Sequence, residues 1–218
     1  SSRWSGVAAS AGPGWAWPDA FVDEHDEGDT KTLCDKLAEK LDPGEFFIVP
    51  HHTTRTGKHG EIPESIYPGP ERMPVIEIYS KWGASEYRGN PDPLVKVHDG
   101  PCYAVDLLRQ GFPLGFVGGT DTHATMPSGF GVEPDTGHLH TPPGFTAARA
   151  GGLSRKSIFE AIRSRNCYAA SLERIYLDVS VGGHRSGSIA EWKDASVPRE
   201  VRILAAGSSD IEKVEVVR

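Results

Sequence analysis

Three short apolar runs, each carrying or leading into groups that bind protons or metals, constrain this chain more than any other feature. FFIVP (46–50) runs into His51 and His52, VIEIYS (75–80) carries Glu77 and ends at Ser80, and GFVGG (115–119) leads into Asp121-Thr122-His123. Runs of this length, bounded by Gly and Pro, read as buried strands. Between them lie helical patterns. Leu33, Leu37 and Leu41 predict a helix over 31–41, capped by Asp29 or Thr30 and stopped by Asp42-Pro43-Gly44. Pro101 can open a helix to Arg109, with Gly111 as its stop, and Ser154 caps SRKSIFEAIRSRN, whose Ile158, Ala161 and Ile162 form an apolar stripe. Helices alternating with strands predict an α/β layout with parallel strands.

The texture changes from Arg174. RIYLDVSV, VPREVRILAAG and IEKVEVVR alternate apolar and polar residues between Gly, Ser and Asp turns, which predicts antiparallel β structure. At the other end, residues 1–28 are rich in Gly, Ser, Ala and Pro and hold Trp4, Trp15 and Trp17, so they read as an irregular segment packed on a partner surface. The expected division is 1–28, 29–172 and 173–218.

Composition removes some function classes. At 218 residues and 38% hydrophobic content the chain can bury a core and reads as soluble and globular, with no apolar run near the roughly 18 residues a membrane span needs. A net charge of −7 with no long Lys/Arg cluster argues against a nucleic-acid partner held through phosphates. Cys34, Cys102 and Cys167 lack the spacing of a zinc knot or a disulfide framework. The opening residues have no apolar signal-peptide core, and nothing in the chain fixes its compartment.

Ligands in parallel α/β folds gather where strands end. Imidazoles and carboxylates placed there suit a divalent metal, and an Asp-x-His pair can aim both side chains at one volume or bridge two ions. A turn carboxylate beside a solvated histidine is the ordinary alternative for Asp121 and His123, and a strand carboxylate paired with Lys or Arg is the ordinary one for Glu77. His138-Leu139-His140 has metal-ligand spacing, but no strand holds it. GASEY (83–87) misses the last glycine of a serine-nucleophile turn, GFVGG lacks dinucleotide spacing, and Cys167 has no evident base and reads as core.

The succession PHHT (50–53), VIEIYS (75–80), GASE (83–86), GFVGGTDTH (115–123) and GGLSRKSIFEAIRSRNCYAAS (151–171) resembles the PHP superfamily, named for polymerase and histidinol phosphatase. Within it the likeness is to a bacterial branch called a domain of unknown function, and it covers roughly residues 30–218. The resemblance implies a distorted (β/α)7 barrel with two or three divalent ions (Zn, Mn or Fe) at the strand ends and a phosphoesterase-like hydrolase activity. It makes His51 a metal ligand with His52 as the fallback, Asp121 and His123 the closing ligand pair with a catalytic role, and Glu77 a bordering carboxylate. Arg55, Lys58 and Lys81 are candidates to bind a small anionic substrate. Family members carry further ligands upstream, beginning with a His-x-His strand, whereas here only His25 precedes His51. The expectation is therefore the C-terminal part of a PHP-type barrel followed by an antiparallel β appendage, with the N-terminal half as its natural partner. The alternative is a non-catalytic scaffold or binding module without a complete metal cluster.

Overall fold

Side chains that alternate across a strand decide how its two faces are covered. The computed structural model describes the backbone of residues 6–10 and residues 30–42, 44–54, 67–92, 102–121, 144–171, 173–194 and 196–216. Among these run β1 (Gly6–Ser10), α1 (Thr30–Ala38), β2 (Phe46–Pro50), β3 (Val75–Ser80), β4 (Gly83–Ala84), α2 (Ala104–Arg109), β5 (Gly115–Gly118), β6 (Gly144–Ala148), α3 (Arg155–Arg163), β7 (Cys167–Ser171), β8 (Tyr176–Val181), β9 (His184–Arg185) and β10 (Val201–Ala206).

Strand β3 shows the alternation best. Ile76 turns to one side and packs with Met73, Leu114, Phe112 and the α2 residues Ala104 and Leu107. Val75 turns to the other and packs with Phe47, Val117, Cys167 and Phe159 of α3. Helices therefore cover both faces of the β3–β5 pair, which is parallel, with Val75 opposite Gly115 and Glu77 opposite Val117. A register irregularity between Glu77 and Tyr79 breaks the ladder at the strand's C-terminal end. Helix α1 sets Cys34 and Leu37 on Phe46 and Ile48 of β2.

Local signals account for the helix ends. The Ser154 hydroxyl accepts the Ser157 N–H at 3.1 Å, satisfying one of the unpaired donors that open α3. Gly111, at φ 87°, takes the left-handed conformation just after α2. Helix α2 starts at Ala104 rather than at Pro101, with Tyr103 as an N-cap whose side chain makes no capping bond.

The barrel expectation is overturned. The strands of the described residues form four small sheets, ordered β1-β2, β4-β3-β5, β6-β7 and β10-β8-β9, and they do not close on themselves. Among the described residues only β3 and β5 pair in parallel, and the helices are three short ones. A barrel needs each strand laddered to the next at a common tilt. Here β6 pairs antiparallel with β7 across α3, with Gly144 opposite Ser171, and β2 pairs antiparallel with β1. Alternation of helix and strand in sequence predicts crossover connections, but these ladders depend on contacts that local pattern does not encode. Residues 6–10 lie in a segment whose composition predicts irregular backbone, yet they ladder onto β2 with Gly6 opposite Pro50 and Ser10 opposite Phe46.

After β7 the chain builds the β8–β10 sheet. The Tyr168 hydroxyl donates to Ile175 O at 2.8 Å and accepts from Leu177 N at 3.0 Å, and Arg149 pairs with Asp178 at 2.9 Å, so the sheet is pinned to the rest at β7 and β8. Residues 211–216, part of a predicted strand, form no ladder with the described residues. No helix among the described residues is long and apolar enough to cross a membrane.

Candidate metal centre

Buried strands deliver the polar groups. Strand β2 ends at Pro50, and the chain then turns so that His51 remains partly open while His52 is 2% exposed. The two rings stack with centroids 3.6 Å apart. Glu77 comes from the middle of β3, on the side opposite Ile76, and Asp121 lies three residues past β5. Gly119 makes room between them, because a Cβ there would lie 2.5 Å from Glu77 Oε2. Both His52 (φ 53°) and Asp121 (φ 48°) hold left-handed backbone, which residues other than glycine seldom adopt and these two types adopt more often than most.

The side chains interlock. His51 presents Nδ1 to Glu77 Oε1 at 2.8 Å and Nε2 to Asp121 Oδ2 at 3.2 Å. His52 Nε2 stands 3.2 Å from the same Asp121 oxygen and 3.2 Å from Ser80 Oγ. The Trp82 indole N–H donates to the Asp121 carbonyl at 3.4 Å. Since a neutral imidazole carries one N–H, a His51 ring facing carboxylates at both nitrogens is satisfied best as an imidazolium. Burial alone pulls its pKa down, but hydrogen bonds to Asp121 and Glu77 outweigh that and raise it to about 9. Burial pushes the Asp121 carboxyl up, yet His51 and His52 together hold it well below the usual carboxylate range. His52 is lowered, first by burial and then by the positive charge of His51, with the pull of Asp121 opposing both.

The donor set fits a divalent cation. Donor atoms of His51, His52 and Glu77 all lie within 4.8 Å of one another, and Asp121 adds an oxygen 3.2 Å from both Nε2 atoms. Atoms bound at about 2.0–2.2 Å by a tetrahedral ion stand roughly 3.3–3.6 Å apart, so a cation would draw these donors closer than the 4.8 Å within which His51, His52 and Glu77 now lie. Imidazole and carboxylate together suit Zn, Mn or Fe.

His51, His52, Glu77 and Asp121 are thus brought together from β2, β3 and the segment after β5. His123 lies outside the described residues, as do His25, Arg55, Lys58, His138 and His140. Lys81 is only 4% exposed, with its ammonium 5.2 Å from the Trp82 ring, so it is enclosed rather than held out in a polar loop. Trp82 was not signalled by the strand-end pattern; its position two residues after β3 is the one clue. Cys167 is a buried free thiol of the core around Phe159.

No family model matches the chain, and no solved structure matches it. Uncharacterised chlamydial proteins do. The chain is similar to one from Chlamydia pneumoniae, 31% identical over 176 residues, covering 76% of this chain and 27% of that protein. It is similar to one from Chlamydia trachomatis, 29% identical over 195 residues, covering 84% of this chain and 30% of that protein. A third, from Chlamydia muridarum, is 30% identical over 155 residues, covering 66% and 24%. The chain spans less than a third of the length of these relatives.

Proposed function

We propose that this chain contributes a divalent-metal site to a phosphoesterase-like hydrolase, the activity implied by its resemblance to the PHP superfamily. The observation that carries the reading is the convergence of His51, His52, Glu77 and Asp121 from three separate stretches of chain, with donors of the first three within 4.8 Å of one another and an Asp121 oxygen 3.2 Å from both imidazoles. His51 and His52 through Nε2, with Asp121, would hold the ion, and Glu77, at His51 Nδ1, would fix that ring's orientation. A bound divalent ion supplies Lewis acidity, lowering the pKa of a coordinated water and offsetting negative charge on a phosphoryl group. The protein's own groups do the positioning. Asp121 stays anionic to low pH, His52 stays neutral, and the Trp82 N–H fixes the Asp121 carbonyl. The substrate class that fits is a small phosphoester.

Metal content and activity test this separately. Elemental analysis after equilibration with Zn²⁺ or Mn²⁺ should find metal in the wild type, and calorimetry should show affinity at least about tenfold weaker in Asp121→Ala and His51→Ala. Assays with phosphomonoesters and phosphodiesters then read the chemistry. Equal metal in wild type and Asp121→Ala sinks the site; full metal without hydrolysis favours the non-catalytic binding module.

A further inference from the structure

We propose that the β8–β10 sheet is one layer of a β-sandwich whose second layer comes from further strands of the same polypeptide, outside residues 1–218. Cross-strand register sorts its side chains into two unlike faces. Val201 lies opposite Val181, Ile203 opposite Val179 and Ala205 opposite Leu177, so one face of the β8–β10 pair is wholly apolar. The other face mixes Tyr176, Asp178 and Ser180 with Ala206, Leu204 and Arg202. Leu177 and Val179, at the inner end of the apolar face, are partly covered where the sheet adjoins Asn166 and Tyr168. At the outer end Val181 (37% exposed), Val201 (42%) and Ile203 (36%) are open beside His184 of β9, whereas on the mixed face Leu204 (62%) and Tyr176 (51%) stand singly among polar residues. A continuous apolar sheet face left in water is unfavourable and is normally packed about 10 Å from a second sheet.

The outer side of β10 is built to accept another strand, so a strand-rich partner fits it. Strand β10 is laddered to β8 on one side, and among the described residues nothing pairs with its other side. Edges that end a sheet are usually guarded by Lys, Pro or a bulge. The β10 sequence VRILAA has Arg202 alone, no proline, and an unbroken six-pair register with β8. Downstream, Val214 and Val216 alternate with Glu215 and are exposed, a strand pattern without a ladder among the described residues. Length supports a partner in the same polypeptide, since the matched stretch is only 24–30% of each chlamydial relative. This inference is independent of any metal.

Hydrogen exchange read by mass spectrometry, on the 218-residue chain and on the intact polypeptide from its source, tests it. Amides of 201–206 and 211–216 should exchange at least about tenfold more slowly in the intact polypeptide. Ile203→Asp, on the apolar face, should lower the melting temperature of the intact polypeptide by about 5 °C or more, while Leu204→Asp, on the mixed face, should do less than half of that. In the 218-residue chain the two variants should differ little. Equal exchange in both forms, or a natural polypeptide that ends at residue 218, overturns the proposal. Protection already present in the 218-residue chain also overturns it, assigning the cover to a second copy if it grows with concentration and to residues of this chain if it does not.

Discussion

His51 sits between two carboxylates, and that arrangement ties the protein's stability to pH. In the metal-free protein the groups facing it are Glu77, Asp121 and the stacked His52. Its folded pKa of about 9 lies above the ordinary histidine value, so its contribution is complete below about pH 6.5 and is lost as pH rises through 9. Asp121 is depressed, so its contribution is present above about pH 4 and is lost as pH falls. Thermal melts of chelator-treated protein should therefore be highest between about pH 4 and 6.5 and decline toward pH 9 by on the order of 3 kcal/mol. Asp121→Asn should flatten that decline; an unchanged slope would remove His51 as its source. Gly119→Ala offers a second check, because the new Cβ must displace Glu77 Oε2. Metal affinity should fall about tenfold with the fold retained by circular dichroism. The strand-end pattern was enough to single out His51, His52, Glu77 and Asp121. The bonds from Trp82 to Asp121 and from His52 to Ser80 were not legible, because they span 39 and 28 residues and depend on how the strands are stacked.

At the level of elements, what could be read in advance was whatever is decided within a few residues. Ser154 as a cap and Gly111 as a stop are local choices of backbone and hydrogen bond, and both hold. Pairing is a different matter. Nothing in CYAAS specifies that it ladders antiparallel with GFTAA on the far side of a helix, and a run of small residues imposes weak register preference. The Thr146 hydroxyl helps, donating to Gly118 O at 2.8 Å and accepting from Gly118 N at 3.1 Å, which ties β6 to the end of β5. The β3–α2–β5 unit is the most pattern-driven part of the fold, and Leu107 is its fully buried peg against Ile76 and Leu114. Leu107→Ala should cost about 3 kcal/mol in urea unfolding, since a cavity remains between a helix and a parallel strand pair that cannot collapse freely. A loss below about 1 kcal/mol would show that α2 is not held by that contact.

Over the whole molecule, three thiols report on the cores. Cys34 belongs to the α1–β2 cluster and Cys167 to the α3 cluster, while Cys102 is buried just ahead of α2. Burial pushes Cys34 up to about 12 and Cys167 to about 11, which keeps both protonated and unreactive at neutral pH. A thiol reagent at pH 8 should label none of the three in the native protein and all three in denaturant. If Cys34 alone is labelled at low denaturant, α1 opens as a separate unit. The whole fold was the least legible level: composition and alternation pointed to helices and strands, but four small sheets arise from long-range pairing. The left-handed turns at His52 and Asp121 carry a further implication. Glycine at either place would relax the backbone but delete a side chain that binds its neighbours in the cluster, so the strain and the interlocked contacts belong to the same two residues. Any substitution that eases these two turns also unmakes the cluster they hold together.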